Sequence, residues 1–371
     1  MTEPRPEAKK PDHVRLFIPG PIEVRREILE AQSAWMIGHR GKEFEALFAS
    51  VQEKLRQAFF TRSRVYVSTS SGTGLWEAAS RNCIRDESRV LHLVNGAFSE
   101  RWADVSRMNG KKVDVLEAEW GKAIKPEQLA EKLKQQPYDA VALVLNETST
   151  GVKNPLEAMV PIIKQYPDTL ILVDAVSIFG GYKIDFDGLG LDVLLTSTQK
   201  AMALPPGLAF AAVSDRALER AKQVPYRGYY FDFIELEKML LKNNTPATPN
   251  ISLLYATDKQ LDYMINQEGL ENRYARHEKL ADTVRAWVSS CGFQMFSEEG
   301  YHSPTVSTVS NTRNIDVKAL NQYLRTQGMV LSDGYGKLKD RTFRIAHMAD
   351  LQLSDIHDLL NAIQAFLEKS A

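Results

Sequence analysis

Short apolar runs that end in polar, glycine-bearing loops recur along much of this chain, and a helical pattern follows each of them. The clearest is Leu170-Ile171-Leu172-Val173, which is closed by a single carboxylate, Asp174. A run that is apolar at every position predicts a strand buried on both faces, and it carries Asp174 to the strand's C-terminal end. A second interior strand, Leu191 to Thr196, leads into Ser197-Thr198-Gln199-Lys200. Strands that alternate with helices predict a mostly parallel sheet. In an open sheet of that kind, ligands occupy the crevice beyond the C-terminal strand ends. Asp174 and Lys200 are therefore expected to face one ligand.

Other predicted strands bring more chemistry to the same rim. Arg64 to Ser68 runs into Thr69-Ser70-Ser71-Gly72-Thr73-Gly74 and then a helix. Free backbone N–H groups, hydroxyls and the positive end of a helix dipole converge there, which suits a phosphate. The turn is neither a Walker motif nor a dinucleotide fingerprint, and similar turns also simply cap helices. The strand Arg89 to Val94 is followed by Asn95-Gly96-Ala97-Phe98. Phe98 reads either as core or as a platform on which a flat ring stacks. The strand Asp139 to Leu145 ends in Asn146-Glu147-Thr148-Ser149-Thr150-Gly151. Upstream, Pro19-Gly20-Pro21 is a turn. His39 and Arg40 precede an amphipathic helix bearing Phe44, Phe48, Val51, Leu55 and Phe59. Taken alone, that pair is either a solvated loop or a binder of anions.

With 371 residues, 44% of them hydrophobic, the chain can bury a large domain and a smaller one. The expected division is an N-terminal flexible arm over 1–15, a large domain over 16–268 and a small α+β domain over 269–371. A formal net charge of −1 supplies no electrostatic case for nucleic acid or an anionic membrane. No run is long enough to span a bilayer, and the N-terminal stretch lacks the apolar core of a signal peptide. Cys83 and Cys291 are too few for a disulfide framework or a structural zinc site, so a cytoplasmic setting and no metal are expected.

The rim thus offers an amine, a carboxylate, a phosphate cradle and an aromatic face. Pyridoxal phosphate requires all four: a lysine for the Schiff base, an acid on its pyridine nitrogen, a phosphate site and a stacking surface.

In order and spacing, Pro19-Gly20-Pro21, Ser71-Gly72-Thr73, Asn95-Gly96, Glu147 to Gly151, Val173 to Ser177, Ser197 to Ala201 with Pro205-Pro206-Gly207, and Phe343-Arg344-Ile345 resemble the class V pyridoxal-phosphate aminotransferases of fold type I. Within these, the similarity is to the alanine–glyoxylate and serine–pyruvate group, from about Leu16 onward. The resemblance implies that Lys200 is the Schiff-base lysine and Asp174 the pyridinium partner. Ser71, Gly72, Thr73 and Gln199 would contact the phosphate, Thr148 would lie beside the ring oxygen, and Phe98 would stack on the ring where many members have tryptophan. Thr248 would reach the phosphate of a second subunit, which implies a homodimer with shared sites. Arg344 would grip the substrate α-carboxylate, with Gly20 nearby. His39 and Arg40 resemble a pair that phosphoserine aminotransferases use on substrate phosphate. The positions of the second such pair hold Lys337 and Leu338, so half of that clamp is missing unless Lys337 or Lys339 substitutes.

The expected activity is transfer of an amino group from alanine or serine to glyoxylate or pyruvate. The alternatives are a phosphoserine aminotransferase, a lyase of the same fold such as a cysteine desulfurase, and a non-catalytic relative.

Overall fold

The computed structural model describes residues 13–370. Most of the arm expected over 1–15 lies outside the described residues, while Arg15 opens the first strand, Arg15–Phe17.

A seven-stranded sheet carries the rim. Its order is Arg64–Ser68, Ala209–Val213, Val193–Ser197, Leu170–Asp174, Ala140–Val144, Arg89–Val94 and Lys112–Glu117. All of these strands run parallel except Ala209–Val213, which is antiparallel to both neighbours. Asp174 stands level with Leu195 on one side and Val144 on the other. The ends of the strands that close at Ser68, Val94, Val144, Asp174 and Ser197 therefore share one edge, as the alternation of strands and helices predicts.

The buried runs face both ways. Ile171 and Val173 pack with Phe44, Phe48, Val51, Leu55 and Phe59 of the helix Lys42–Phe59. Leu170 and Leu172 pack on the other face with Leu75, Trp76 and Trp102. Removing one such buried ring costs about 3–5 kcal/mol, because the close-packed layers collapse only partly around the cavity.

A second, five-stranded sheet has the order Arg15–Phe17, Met329–Asp333, Thr342–Ala346, Val306–Ser310 and Gln294–Met295. The helices Leu270–Ser290, Val317–Thr326 and Leu353–Ser370 accompany it. Two features differ from the sequence reading. The strand Met329–Asp333 was not foreseen, and the N-terminal Arg15–Phe17 pairs with it in parallel. Pairing partners more than three hundred positions apart leave no local signature.

Fully buried Arg273 ties the two parts together. It donates to the carbonyls of Gly180 and Ala201 and to the carboxylates of Glu268 and Asp350, each at 2.7–2.8 Å. Among the described residues, no helix is long and apolar enough to cross a membrane, and no group of three or more His, Cys, Asp or Glu side chains could hold a metal ion.

Candidate active site

A cavity of about 210 Å³ sits at the shared strand edge, lined by Ser71, Gly72, Thr73, Trp76, Phe98, Val144, Asn146, Thr148, Asp174, Val176, Ser197, Gln199 and Lys200. A groove of about 800 Å³ elsewhere is larger, but its charges pair among themselves, as in Arg15–Asp355, Arg25–Asp350 and Arg26–Glu30. The smaller cavity instead holds functional groups without partners. Ser197 Oγ and Gln199 Oε1 are buried with no hydrogen-bond partner. Buried polar atoms are nearly always paired, so such orphans mark a place where a ligand completes the set.

Ser71 precedes the helix Gly72–Cys83, whose first backbone N–H groups open toward the cavity. A side chain at Gly72 would bring a Cβ to 2.5 Å from Val176 Cγ2, so only glycine allows the helix to start this close to the strand-end loops. The result is a concave, donor-rich pocket of the kind that holds phosphate.

Asp174 is 3% exposed. Its Oδ1 accepts from the Val176 N–H at 2.7 Å and its Oδ2 from the Trp76 indole N–H at 2.5 Å. Burial pushes its carboxyl up to about 7. The two hydrogen bonds and the charge of Lys200 oppose that rise, and Glu147 adds to it. Burial lowers the Lys200 amine to about 8, assisted by the charge of Arg344 and opposed by Asp174. The Lys200 ammonium donates to the carbonyl of Pro19, and a Cβ at Gly20 would lie 2.7 Å from its nitrogen. The Pro19-Gly20-Pro21 turn is thus part of the lysine's surroundings.

Arg344 is 8% exposed, and burial lowers its guanidinium to about 10, with Asp333 and Glu147 opposing. It donates through Nε to the carbonyl of Asp333 at 3.1 Å and through Nη1 to that of Thr148 at 3.5 Å. No carboxylate pairs with it directly among the described residues, so its remaining N–H groups can receive one from a ligand.

Glu147, to which the sequence assigns no role of its own within the Glu147 to Gly151 loop, is fully buried. Its carboxylate accepts from Ser99 Oγ at 2.9 Å, from Ser149 Oγ at 2.6 Å, and from the backbone N–H groups of Ser99 and Phe98 at 3.0 and 3.3 Å. An anion on the first turn of the helix Ala97–Met108 stabilises that helix start and holds Phe98 at the cavity wall. Trp76 was also missed. The signal for it was its place one helical turn after Gly72, on a helix whose N-terminus faces the cavity.

His39, Arg40 and Thr248 do not line this cavity. Arg40 donates to the carbonyls of Thr245 and Pro246 at 2.7 and 3.1 Å and to the Asn244 amide oxygen, and His39 Nε2 lies 3.4 Å from Thr248 Oγ1. The pair therefore braces the loop that carries Thr248. Lys337 lies over the Trp120 ring at 3.8 Å and 3.7 Å from Glu100, in a separate cleft with Glu117 and Arg341. Cys83 is buried at the end of its helix, where burial raises its thiol strongly, and neither it nor Cys291 lines the cavity.

A lysine and a buried aspartate at neighbouring strand ends, facing a glycine-opened helix N-terminus on a mostly parallel sheet, define a fold type I transferase, the architecture used by pyridoxal-phosphate-dependent enzymes. The chain belongs to the class-V aminotransferase family, whose pattern it matches over residues 26–338. It is 36% identical over 337 residues to an uncharacterized aminotransferase of Methanocaldococcus jannaschii, covering 90% of this chain and 87% of that one. It is 31% identical over 366 residues to the serine–glyoxylate aminotransferase of Arabidopsis thaliana, covering 96% and 91%. Its structure superposes on the alanine–glyoxylate aminotransferase of a Nostoc species with a TM-score of 0.90 and 28% identity, covering 98% of each chain.

Proposed function

We propose that this aminotransferase uses pyridoxal 5'-phosphate to move an amino group from alanine or serine to a small 2-oxo acid, glyoxylate or pyruvate. The observation that carries the reading is that Lys200 and Asp174 line one small cavity, with Arg344 bonded to the carbonyl of Thr148 in its wall, while two of the candidates for a substrate-phosphate clamp, Arg40 and Lys337, are engaged elsewhere. That arrangement favours small donors over phosphoserine. The lyase alternative lacks a thiol at the cavity, and a non-catalytic role gives no reason to bury Asp174 and Arg344 around Lys200.

The residues fit the cofactor. Ser71, Gly72, Thr73 and Gln199 would hold its phosphate, Phe98 and Thr148 would flank its ring, and Asp174 would hold a proton on its pyridine nitrogen. When bound, pyridoxal phosphate accepts the electron pair released as the substrate Cα–H bond breaks. Lys200 would take that proton from Cα and return it at the other end of the transfer. Its depressed proton affinity makes the neutral amine accessible near neutral pH. Arg344 would hold the α-carboxylate so that the Cα–H bond faces Lys200.

The same reading makes the protein a cytoplasmic homodimer with shared sites. Trp35 and Tyr226, 94% and 95% exposed, are apolar surface of the kind a partner subunit covers, and the braced loop bearing Thr248 would meet the partner's phosphate site. The division into large and small domains near Gly269 belongs to this reading too, with Arg15–Phe17 crossing back to the smaller sheet.

The deciding experiment follows half-reactions of the yellow holoenzyme by absorbance, with alanine, serine and phosphoserine as donors and glyoxylate, pyruvate, 2-oxoglutarate and phosphohydroxypyruvate as acceptors. Fastest turnover with alanine or serine and glyoxylate or pyruvate is expected. Preference for the phosphorylated pair would overturn the reading.

A further inference from the structure

Tyr335 connects groups that the proposed function treats separately. It lies just beyond the strand Met329–Asp333 of the five-stranded sheet, yet its ring stacks on Phe98 of the large sheet's rim, with centroids 5.1 Å apart and planes 27° apart. The guanidinium carbon of Arg344 lies 5.3 Å from the same ring's centroid. The phenol oxygen accepts from Arg101 at 2.8 Å, and Arg101 in turn sits 5.5 Å from the Phe98 centroid. Two residues further on, Lys337 rests on Trp120 at 3.8 Å. The tyrosine is therefore fixed by stacking, by a cation–π contact and by a hydrogen bond, and the loop that bears it is latched to the neighbouring part of the molecule.

We propose that Tyr335 is a specificity-determining residue that limits the length of the side chain on the amino donor. The inference rests on the proposed function, in which the donor's carboxylate lies on Arg344 and its amine approaches Lys200. A donor held that way would have its Cα beside the cluster of Phe98, Tyr335 and Arg344, of which Phe98 lines the cavity. Phe98 to Tyr335 and Tyr335 to Arg344 are both at stacking distance, so nothing can enter between them. A methyl or hydroxymethyl group leaves the wall intact. A longer chain has to push Tyr335 aside and forfeit all three of its contacts. The phenol also keeps the Arg344 guanidinium from turning, which makes Tyr335 a positioning residue for the carboxylate site.

The test compares wild-type holoenzyme with Tyr335→Ala, Tyr335→Leu and Tyr335→Phe, using alanine, serine and norvaline as donors to glyoxylate. Cofactor absorbance and thermal unfolding are recorded for each protein. The norvaline-to-alanine ratio of kcat/KM is expected to rise by about tenfold or more in the Ala and Leu variants, mainly through a lower KM for norvaline, and to stay near wild type in Tyr335→Phe. If one of the smaller variants fails to fold, the other decides. An unchanged ratio, or an equal loss with every donor, overturns the inference while leaving the proposed function standing. A wild-type enzyme inert toward alanine and serine overturns both.

Discussion

The indole N–H of Trp76 donates to Oδ2 of Asp174 at 2.5 Å, inside the core and beneath the cavity. Burial alone favours the protonated acid, and the carboxyl stands at about 7 even with this bond and the Val176 N–H in place. Both bonds favour the charged form. Trp76→Phe removes one of them at little cost in packing, so Asp174 is expected to protonate at higher pH. The neutral acid no longer favours a protonated pyridine nitrogen. The cofactor affinity of the apoprotein at pH 7 should fall by about tenfold, in line with a hydrogen bond to a charged group, and should recover as pH rises. Titration of the apoprotein with pyridoxal phosphate between pH 6 and 9 reads this directly. An affinity that is equal in both proteins across the range contradicts it.

Lys200 sets a second pH dependence. Its lowered proton affinity means that the amine is charged below about pH 8 and neutral above. Only the neutral amine is nucleophilic, so the rate at which the apoprotein captures the cofactor covalently should climb through that range and level off above it. Stopped-flow absorbance measures the profile. A rate still rising steeply near pH 10.5, the usual lysine value, would mean that burial does not act on this group as described. Lys200→Ala should be colourless and inactive as a transaminase.

Among the described residues Arg344 hydrogen-bonds only to carbonyl oxygens and pairs with no carboxylate, so its charge is kept for a ligand. Arg344→Lys keeps the charge but loses the planar fork, and it should raise KM for every carboxylate donor and acceptor by roughly ten- to a hundredfold. Steady-state kinetics with two donors and two acceptors checks this. An effect confined to a single substrate would contradict the carboxylate role.

Arg273 is fully buried and satisfies Asp350 and Glu268 together with the carbonyl that follows Lys200. Arg273→Leu strands buried Asp350, leaving it among the described residues only the part-exposed Arg25 as a cation, and should destabilise the protein by about 3–5 kcal/mol. Asp350 sits below its ordinary value, with burial opposing and the charges of Arg273 and Arg25 prevailing. A carboxyl lowered in this way contributes stability above its unfolded value that is lost as pH falls. The gap in denaturation midpoint between wild type and variant should therefore narrow in acid. A constant gap from pH 7 to pH 3 would show that the pair contributes no such linkage.

The seven-stranded sheet and its reactive edge were legible in the amino-acid order because their determinants are local. Leu170 to Val173 is apolar at every position, since a strand covered by helices on both faces must be. Gly72 follows Ser71 because the helix has to begin against Val176. Lys200 and Asp174 could be placed at one rim because parallel strands bring their C-terminal ends to the same side.

The roles of His39, Arg40 and Lys337 were not legible. Arg40 is directed by carbonyls some two hundred positions away, and Lys337 by the face of Trp120. Trp76, Glu147 and Tyr335 act through partners on other elements: a strand-end acid, a helix start, and a ring and a guanidinium. A residue's type and spacing state what it can do chemically and which face of its own strand or helix it occupies. Which partner takes up a given hydrogen bond or charge depends on how separate elements pack, and in this protein only the tertiary structure decided that Arg40 and Lys337 are engaged by other groups and that Tyr335 stacks on Phe98 beside Arg344.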